Sequence, residues 1–246
     1  MIMKKNIVLI LTGTVDPGSM IYTRLKDPII RRTHYINSIR WWIHNSQLPI
    51  IFIENSNTDL SADLQPEIDT GRLEMIHFEG NRFPASRGKG YGELNCLARV
   101  LACSAYVKEA DFIFKITGRL TILNFQDFID DFQKNQEVGL IIDLRTSLTF
   151  SDSRFFGCRP AFISDFLLPN QHLANDSAHM YMEHILAKAA LQAVAAGYLF
   201  RPFICYPKVK GLSGSMGSIY DEDEESWQRK NRQFRNKFRS ITGKSP

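Results

Sequence analysis

The stretch Asp111-Phe112-Ile113-Phe114-Lys115-Ile116-Thr117-Gly118-Arg119 gives the clearest indication of the fold. A short apolar run that begins at a charged residue and ends in a Thr-Gly pair is typical of a buried β-strand followed by a turn. We therefore predict a strand over Asp111 to Lys115. Two cations, Lys115 and Arg119, stand at the end of this strand.

Four further apolar runs are predicted strands: Asn6 to Leu11, Pro49 to Glu54, Leu73 to Phe78 and Val138 to Asp143. Apolar residues at helical spacing separate these runs, at Ile36, Ile39 and Ile43, at Leu94, Leu97 and Leu101, and at Phe125, Ile129 and Phe132. This alternation predicts an α/β, Rossmann-like fold with a mixed, mainly parallel sheet flanked by helices. Because crossovers between parallel strands are right-handed, their carboxyl ends share one edge of the sheet, where ligands bind in open sheets.

The composition is that of one large domain. The chain has 246 residues, of which 44% are hydrophobic, and its 30 basic and 26 acidic residues leave a net charge of +4. That charge is too small to indicate binding to nucleic acid. No apolar run reaches the roughly 18 residues that cross a bilayer, and the first is too short for a signal peptide. We expect a cytoplasmic protein with one domain over 1–220, divided into halves at 145/146, and a tail over 221–246.

The strand–helix alternation ends after Asp143. In the second half we predict a strand over Arg154 to Arg159, a helix over Ala178 to Gly197 and a strand over Tyr198 to Tyr206. This half is expected to cover the ligand edge of the sheet and to hold a second substrate.

Three loops at this edge carry residues suited to a phosphate-bearing ligand. Thr12-Gly13-Thr14, with Arg24 beyond it, offers backbone N–H and guanidinium groups, although an ordinary turn with solvated arginines fits as well. Glu54-Asn55 could bind a ribose and a base, or cap a local turn. Arg87-Gly88-Lys89-Gly90, followed by Glu93, opens a helix whose N-terminus favours an anion, with a plain capped turn as the alternative.

Together these segments resemble nucleotide-sugar glycosyltransferases of the GT-A fold, in particular small bacterial enzymes that build lipopolysaccharide, capsule or other surface glycans. The resemblance spans most of residues 6 to 206. In that family the strand corresponding to Asp111 to Lys115 ends in an Asp-x-Asp pair, which holds a divalent ion against the nucleotide diphosphate. Here Lys115 and Arg119 take its place. The resemblance therefore implies that these cations stabilise the diphosphate directly and that no metal is needed, with Asp143 and Asp152 as the alternative metal ligands.

The resemblance also implies a nucleotide-sugar donor, a UDP-sugar being favoured, in the first half of the domain. No other cofactor is expected. The implied donor-binding residues are Thr12, Gly13, Thr14, Arg24, Glu54, Asn55, Arg87, Gly88, Lys89, Gly90 and Glu93, together with Lys208, Lys210 and Ser213 from a flexible loop over Tyr206 to Gly217 that would close over the donor.

A glycan or lipid-linked glycan acceptor would bind in the second half, near Asp152, Arg154 and His184. Glu183 is similar to the acid that inverting enzymes of this fold place at a helix start to deprotonate the acceptor hydroxyl. A role in the helix dipole is the alternative, and His184 is a rival base. Phe155 and Phe156 could pack against a sugar, but we expect them in the core.

The tail turns from acidic, over Asp221 to Glu225, to basic from Arg229 onward. Near-helical spacing of Trp227, Phe234, Phe238 and Ile241 predicts an amphipathic helix that could hold the protein at an anionic surface of the inner membrane. A solvated tail or a partner-binding helix fits equally well.

Two other functions are compatible with the sequence. One is a catalytically inactive GT-A-like module that binds nucleotide or glycan and docks a membrane assembly. The other is a sugar nucleotidyltransferase, although the glycine-rich signature of that class is missing after the first strand.

Overall fold

The computed structural model of the protein describes residues 5–214 and 217–242. In these residues the α-helices are α1 (Pro28–Asn45), α2 (Gln65–Ile68), α3 (Gly88–Cys103), α4 (Ala105–Lys108), α5 (Phe125–Lys134), α6 (Pro160–Phe162), α7 (Met182–Ala195) and α8 (Glu224–Thr242). The strands are β1 (Ile7–Gly13), β2 (Ile50–Glu54), β3 (Leu73–His77), β4 (Phe112–Thr117), β5 (Leu120–Ile122), β6 (Leu140–Ile141), β7 (Leu144–Arg145), β8 (Phe150–Ser151), β9 (Phe155–Cys158), β10 (Phe200–Arg201), β11 (Val209–Leu212) and β12 (Ile219–Asp221).

A seven-stranded sheet with the order β10-β6-β9-β4-β1-β2-β3 forms the centre of the described part. β1 runs parallel to both β2 and β4, and β3 is parallel to β2, whereas β9 is antiparallel to its neighbours β4 and β6. The predicted mixed, mainly parallel α/β sheet is thereby confirmed. Thr12 lies opposite Thr117, and Gly13 lies opposite Glu54, so the carboxyl ends of these three strands meet at one edge.

Each face of the sheet is covered by its own hydrophobic core. Leu9 and Leu11 of β1 pack on the face covered by α1 and α5, while Val8 and Ile10 pack on the face covered by α3 and α7. All four are fully buried, as expected for a strand with helices on both sides. Phe155 and Phe156 are buried to the same degree, one in each core, as predicted.

Helix α1 brings two polar side chains to the edge of the sheet. Its N-cap, Asp27, accepts hydrogen bonds from the N–H groups of Ile29 and Ile30, and Pro28 supplies a preformed first turn. One turn later, Arg31 and Tyr35 are buried beneath the loop that follows β1.

The second half differs from the prediction in three places. The strand predicted over Tyr198 to Tyr206 is limited to β10, since Pro202, which has no N–H to donate, follows it directly. The helix predicted from Ala178 begins at Met182, because His179 adopts a left-handed conformation. The predicted flexible loop over Tyr206 to Gly217 contains strand β11, paired between β5 and β12; its Ser215 and Met216 lie outside the described residues.

The predicted tail helix is present as α8, and one side of it packs against the body of the protein. Trp227 donates from Nε1 to the carbonyl of Tyr206 at 3.1 Å, and the rings of Phe234 and Phe203 are 6.4 Å apart. These two apolar residues are therefore engaged internally; the side chains of Phe238 and Ile241 lie outside the described part. No helix in residues 5–214 and 217–242 has the length and apolar character needed to cross a bilayer.

Candidate active site

A cleft of about 790 Å³ opens at the shared carboxyl edge of β1 and β4. The loop after β1, the start of α3, the β4–β5 turn, the β7–β8 hairpin, the start of α7 and the end of β11 all contribute to its wall. It brings together many of the residues predicted from sequence: Thr12, Gly13, Thr14, Lys89, Gly90, Glu93, Arg119, Asp152, Arg154, Glu183 and Ser213. These residues are spread over 200 positions of the chain, so the fold and not local sequence creates the site.

Glu54 and Asn55 lie behind the wall of the cleft. Glu54 is 1% exposed, and its carboxylate accepts hydrogen bonds from the N–H groups of Val15 at 2.7 Å and Thr58 at 2.8 Å. The Asn55 amide accepts from Thr14 Oγ1 at 2.6 Å. Their observed role is to join the loops that follow β1 and β2, which fixes the backbone of Thr12 to Thr14 at the cleft.

The start of α3 is bound by the protein's own carboxylate. The N–H of Lys89 donates to Asp176 at 3.2 Å, and Gly88, at φ +72°, leaves room for this contact: a Cβ atom there would be 1.9 Å from Asp176 Cγ. Arg87 lies outside the cleft and donates to the carbonyls of His172 and Gln171. The backbone N–H of Lys89, predicted to bind a ligand anion, thus has an internal carboxylate as its partner.

Four other residues of the predicted set lie away from the cleft lining. Lys208 pairs with Glu224, and Lys210 lies 3.6 Å from Asp221. Arg24 donates its backbone N–H to the carbonyl of Gly214 at 3.1 Å. His184 caps the start of α7, where its Nδ1 accepts from the N–H of Tyr181 at 3.3 Å.

The two cations at the end of β4 have different environments. Lys115 is fully buried beneath the cleft, where its ammonium pairs with Glu93 and donates to the carbonyl of Ser153 at 2.7 Å. Glu93 also accepts from Thr12 Oγ1 at 2.9 Å. The expected contact of Lys115 with a diphosphate does not fit this enclosed position, and the geometry gives the lysine a role in holding the floor of the cleft.

Arg119, by contrast, lines the cleft. Its guanidinium lies 5.5 Å from the centre of the Tyr35 ring, and its Nε and Nη1 atoms are buried without a hydrogen-bond partner. Gly214 covers the group so closely that a Cβ atom there would be 2.5 Å from Arg119 Nη2. Buried donors without acceptors are costly, and guanidinium donors favour phosphate and carboxylate oxygens. Arg119 is therefore suited to binding an anionic ligand.

Arg31 reinforces the positive potential beside Arg119. Its guanidinium donates to the carbonyl groups of Thr14 at 2.7 Å and Leu25 at 3.0 Å, so it is used to shape the loop after β1. Burial lowers the pKa of Arg31, and the nearby charge of Arg119 lowers it further, although Tyr35 acts in the opposite direction.

Glu183 stands in the first turn of α7 and lines the cleft. Its carboxylate accepts a hydrogen bond from Ser153 Oγ at 2.8 Å. Burial raises the pKa of Glu183 above its ordinary value, an effect that the Ser153 hydrogen bond partly offsets. A partly desolvated carboxylate with a raised pKa is a better proton acceptor near neutral pH than an exposed one.

Asp143 and Asp152, the alternative metal ligands, are neutralised by arginines. Arg145 pairs with Asp143 and lies 3.2 Å from Asp152, and Arg154 donates from Nε to Asp152 at 2.8 Å. Burial acts to raise the pKa of Asp152, but Arg154 and Arg145 together bring it below its usual range. Among the described residues, no group of three or more His, Cys, Asp or Glu side chains is arranged to hold a metal ion. This donor set does not fit a hard divalent cation.

Several residues of the cleft do not belong to the predicted site: Tyr22, Tyr35, Arg145, Phe150, Ser153, Asp176 and Tyr181. No sequence motif marks them, and Tyr35 lies within the regular spacing of helix α1. Tertiary contacts bring them to the cleft.

No family model and no curated protein sequence matches the chain. A cytidylyltransferase from Leptospira borgpetersenii serovar Hardjo-bovis superposes with a TM-score of 0.45 at 10% identity, covering 81% of this chain and 76% of the other. A Desulfovibrio desulfuricans G20 protein named, provisionally, as a nucleotide-diphospho-sugar transferase superposes with a TM-score of 0.42 at 10% identity, covering 81% of this chain and 80% of the other. At this degree of likeness neither structure carries an argument about activity.

Proposed function

We propose that the protein is a glycosyltransferase that binds a nucleotide-sugar in the cleft and transfers the sugar to an acceptor hydroxyl group. One observation carries this proposal: Arg119, a guanidinium with unsatisfied donors, and the carboxylate of Glu183 line the same cleft. Sugar transfer from a nucleoside diphosphate needs a group that stabilises the departing diphosphate and a group that accepts the hydroxyl proton. Arg119 and Glu183 have the chemistry for these two roles.

Arg119 would act on the leaving group. When the bond between the anomeric carbon and the phosphate oxygen breaks, the electron pair remains on that oxygen and its negative charge grows. Hydrogen bonds from the Arg119 guanidinium then strengthen, because charge-assisted bonds to a phosphate are stronger than those to a neutral acceptor. The guanidinium of Arg119 thereby becomes a source of transition-state stabilisation.

Glu183 would act on the acceptor. Its carboxylate takes the proton of an acceptor hydroxyl while that oxygen attacks the anomeric carbon from the side opposite the diphosphate. The products are the glycoside and a nucleoside diphosphate, with the proton on Glu183. A single displacement of this kind inverts the configuration of the anomeric carbon.

The identities of donor and acceptor rest on the sequence resemblance alone. It favours a UDP-sugar as the donor and a bacterial surface glycan, of the lipopolysaccharide or capsule type, as the acceptor. The lipid-linked form of such a glycan would place the enzyme at the inner membrane surface.

A nucleotide-binding experiment tests the first half of this proposal. Thermal unfolding is followed with UDP, GDP, CDP and dTDP, each with manganese and with EDTA, for the wild type, Arg119→Met and the control Arg82→Met. Arg82 is a suitable control because its side chain is 81% exposed, in a pair with Glu79 away from the cleft. One nucleotide at about 100 times its Kd should add about 2.7 kcal/mol of stability to the wild type and to Arg82→Met. Arg119→Met should lose the effect, and equal binding by both variants would refute the role of Arg119.

A turnover experiment separates the alternatives. Sugar transfer to an acceptor, or slow hydrolysis of the matching nucleotide-sugar, should be seen in the wild type and lost in Glu183→Gln. Release of pyrophosphate from a nucleoside triphosphate and a sugar 1-phosphate would instead identify a sugar nucleotidyltransferase. Binding without any turnover would identify an inactive binding module.

A further inference from the structure

Among the described residues, five aromatic side chains line the cleft with Glu183, and three of them, Tyr22, Phe150 and Tyr181, take no part in the hydrophobic cores. Tyr22 is 54% exposed, so its ring offers a large apolar surface to solvent. Packing of the fold thus does not account for the three rings in the wall of the cleft.

The backbone at all three rings is unusual. Tyr22 has φ +52°, His179 two residues before Tyr181 has φ +57°, and the run 146–148 before Phe150 has φ between +50° and +67°. L-residues rarely adopt these values because the Cβ atom crowds the backbone. Of the six non-glycine residues with positive φ in the described part, five lie in these three segments. Strain of this kind is concentrated at ligand-binding sites, where the surrounding structure imposes it.

Specific contacts hold the three segments in position. Lys89 donates from Nζ to the carbonyl of Tyr22 at 2.8 Å, and His179 Nδ1 lies 2.8 Å from the hydroxyl of Tyr181. The ring of His184 lies 5.7 Å from that of Tyr181 and 5.3 Å from that of Phe150. His184 therefore packs between the two rings and positions them.

The polar groups next to the rings show what such a wall could bind. Glu183 is two residues from Tyr181 along the chain, and Asp176, which also lines the cleft, is five residues from it. Carboxylates accept hydrogen bonds from hydroxyl groups and repel other carboxylates. The cations nearest the rings are engaged within the protein: Arg145 and Arg154 pair with Asp143 and Asp152, and Lys89 donates to the carbonyl of Tyr22. An aromatic face beside such acceptors matches a pyranose ring, which has one apolar C–H face and a rim of hydroxyl groups.

We propose that Tyr22, Phe150 and Tyr181 form the acceptor subsite and that the acceptor sugar is an uncharged pyranose. Its apolar face packs on the rings, and its reacting hydroxyl group meets Glu183. This inference rests on the proposed glycosyl transfer and adds to it the class of the acceptor sugar.

Saturation-transfer NMR of the full chain tests the subsite without requiring turnover. The probes are methyl glycosides of glucose, galactose and mannose, with methyl glucuronide as the charged counterpart. Tyr181→Leu and Phe150→Leu remove a ring, and Tyr106→Leu removes a half-buried tyrosine that lies away from the cleft. Tyr22→Leu is the additional variant if the first two lower the melting temperature, because its exposed ring contributes little to packing.

At least one uncharged glycoside should bind the wild type and the Tyr106 variant, and its Kd should rise about tenfold in the ring variants, as expected for the loss of one aromatic contact. Methyl glucuronide should bind at least about tenfold more weakly than the glucoside, the factor that corresponds to about 1.4 kcal/mol. The nucleotide Kd, measured in parallel, should stay within about twofold of the wild-type value.

Three results would overturn the subsite. Equal binding of glucuronide and glucoside would refute an uncharged acceptor, and the absence of any glycoside binding to the wild type would refute the subsite itself. Loss of nucleotide binding in the ring variants, with glycoside binding retained, would show that the rings stack on the nucleobase. Failure of the proposed function has a different signature: no nucleotide binds the wild type, whatever the glycosides do.

Discussion

Replacing Lys115 by methionine should destabilise the protein strongly, because the substitution breaks a buried ion pair. The Lys115 side chain is 0% exposed and that of its partner Glu93 is 18% exposed. Without the ammonium, the Glu93 carboxylate loses its counter-charge and the carbonyl of Ser153 loses a donor at 2.7 Å. Removing one partner of a buried pair costs about 3–5 kcal/mol. At about 2 °C per kcal/mol for a chain of this length, the melting temperature should fall by roughly 6–10 °C.

A double-mutant cycle measured by urea unfolding separates the ion pair from general packing effects. Lys115→Met, Glu93→Gln and the double variant should show a coupling free energy of about 2 kcal/mol or more, since the double variant leaves no charge unpaired. Lys5→Met, which breaks the exposed pair with Asp111, is the matched control and should cost less than about 1 kcal/mol.

Two results would refute this account of Lys115. One is a loss no larger than that of the Lys5 control, or a coupling close to zero. The other is a nucleotide Kd that rises more in the folded double variant than in either Arg119→Met or Glu93→Gln, because Lys115 would then contact the ligand.

Three further predictions follow from the cleft. Arg119→Met should raise the nucleotide Kd, measured by calorimetry, at least about tenfold. Its melting temperature should be unchanged or higher, because the Nε and Nη1 atoms have no hydrogen-bond partner to lose. A large fall in the melting temperature would show that these atoms do have partners in the protein. Glu183→Gln should lower kcat by about 10²–10⁴-fold. Burial raises the folded-state pKa of Glu183 above its unfolded value, so the wild type loses stability as the pH rises through the folded-state pKa. The melting temperature of Glu183→Gln should therefore equal that of the wild type near about pH 4 and exceed it near about pH 8. A lower melting temperature of the variant near about pH 8 would contradict a desolvated carboxylate. Gly88→Ala should lower the free energy of unfolding more than Gly71→Ala. Both glycines have positive φ, but only the Gly88 position lacks room for a Cβ atom. Equal losses of unfolding free energy in a denaturant titration would exclude the close contact with Asp176.

Much of the sheet could be predicted because its strands are short apolar runs between charged or turn residues. β1, β2, β3 and β4 each lie within one or two residues of their predicted bounds. In β1, β2 and β4, burial on both faces leaves a continuous apolar signal. Tyr198 to Tyr206 has the same composition but forms only a two-residue strand. There Pro202 ends the strand, and the apolar residues beyond it pack against α5 and α8 through Phe203.

The candidate site was predictable where it depends on topology. Thr12 and Arg119 follow strands that are parallel neighbours, so the edge that they share could be inferred from the order of elements. The position of Asp176 depends on a contact with α3 across 87 residues of sequence. The three aromatic rings depend on loop conformations that L-residues disfavour, which no propensity scale predicts.

The end of β4 shows how one short segment can place two cations in opposite roles. Lys115 lies within the strand, so its direction is set by the pleat, and it is buried against Phe156 and Glu93. Gly118 then donates to the carbonyl of Thr12 at 2.8 Å, and a Cβ atom at Gly118 would be 2.8 Å from that same oxygen. Because this turn must pass so close to the end of β1, Arg119 is directed over Tyr35 and into the cleft. Lys115 thus offsets the charge of an acid beneath the site, while Arg119 lines the cleft where a ligand would bind. Neither role can be exchanged without moving the turn between them.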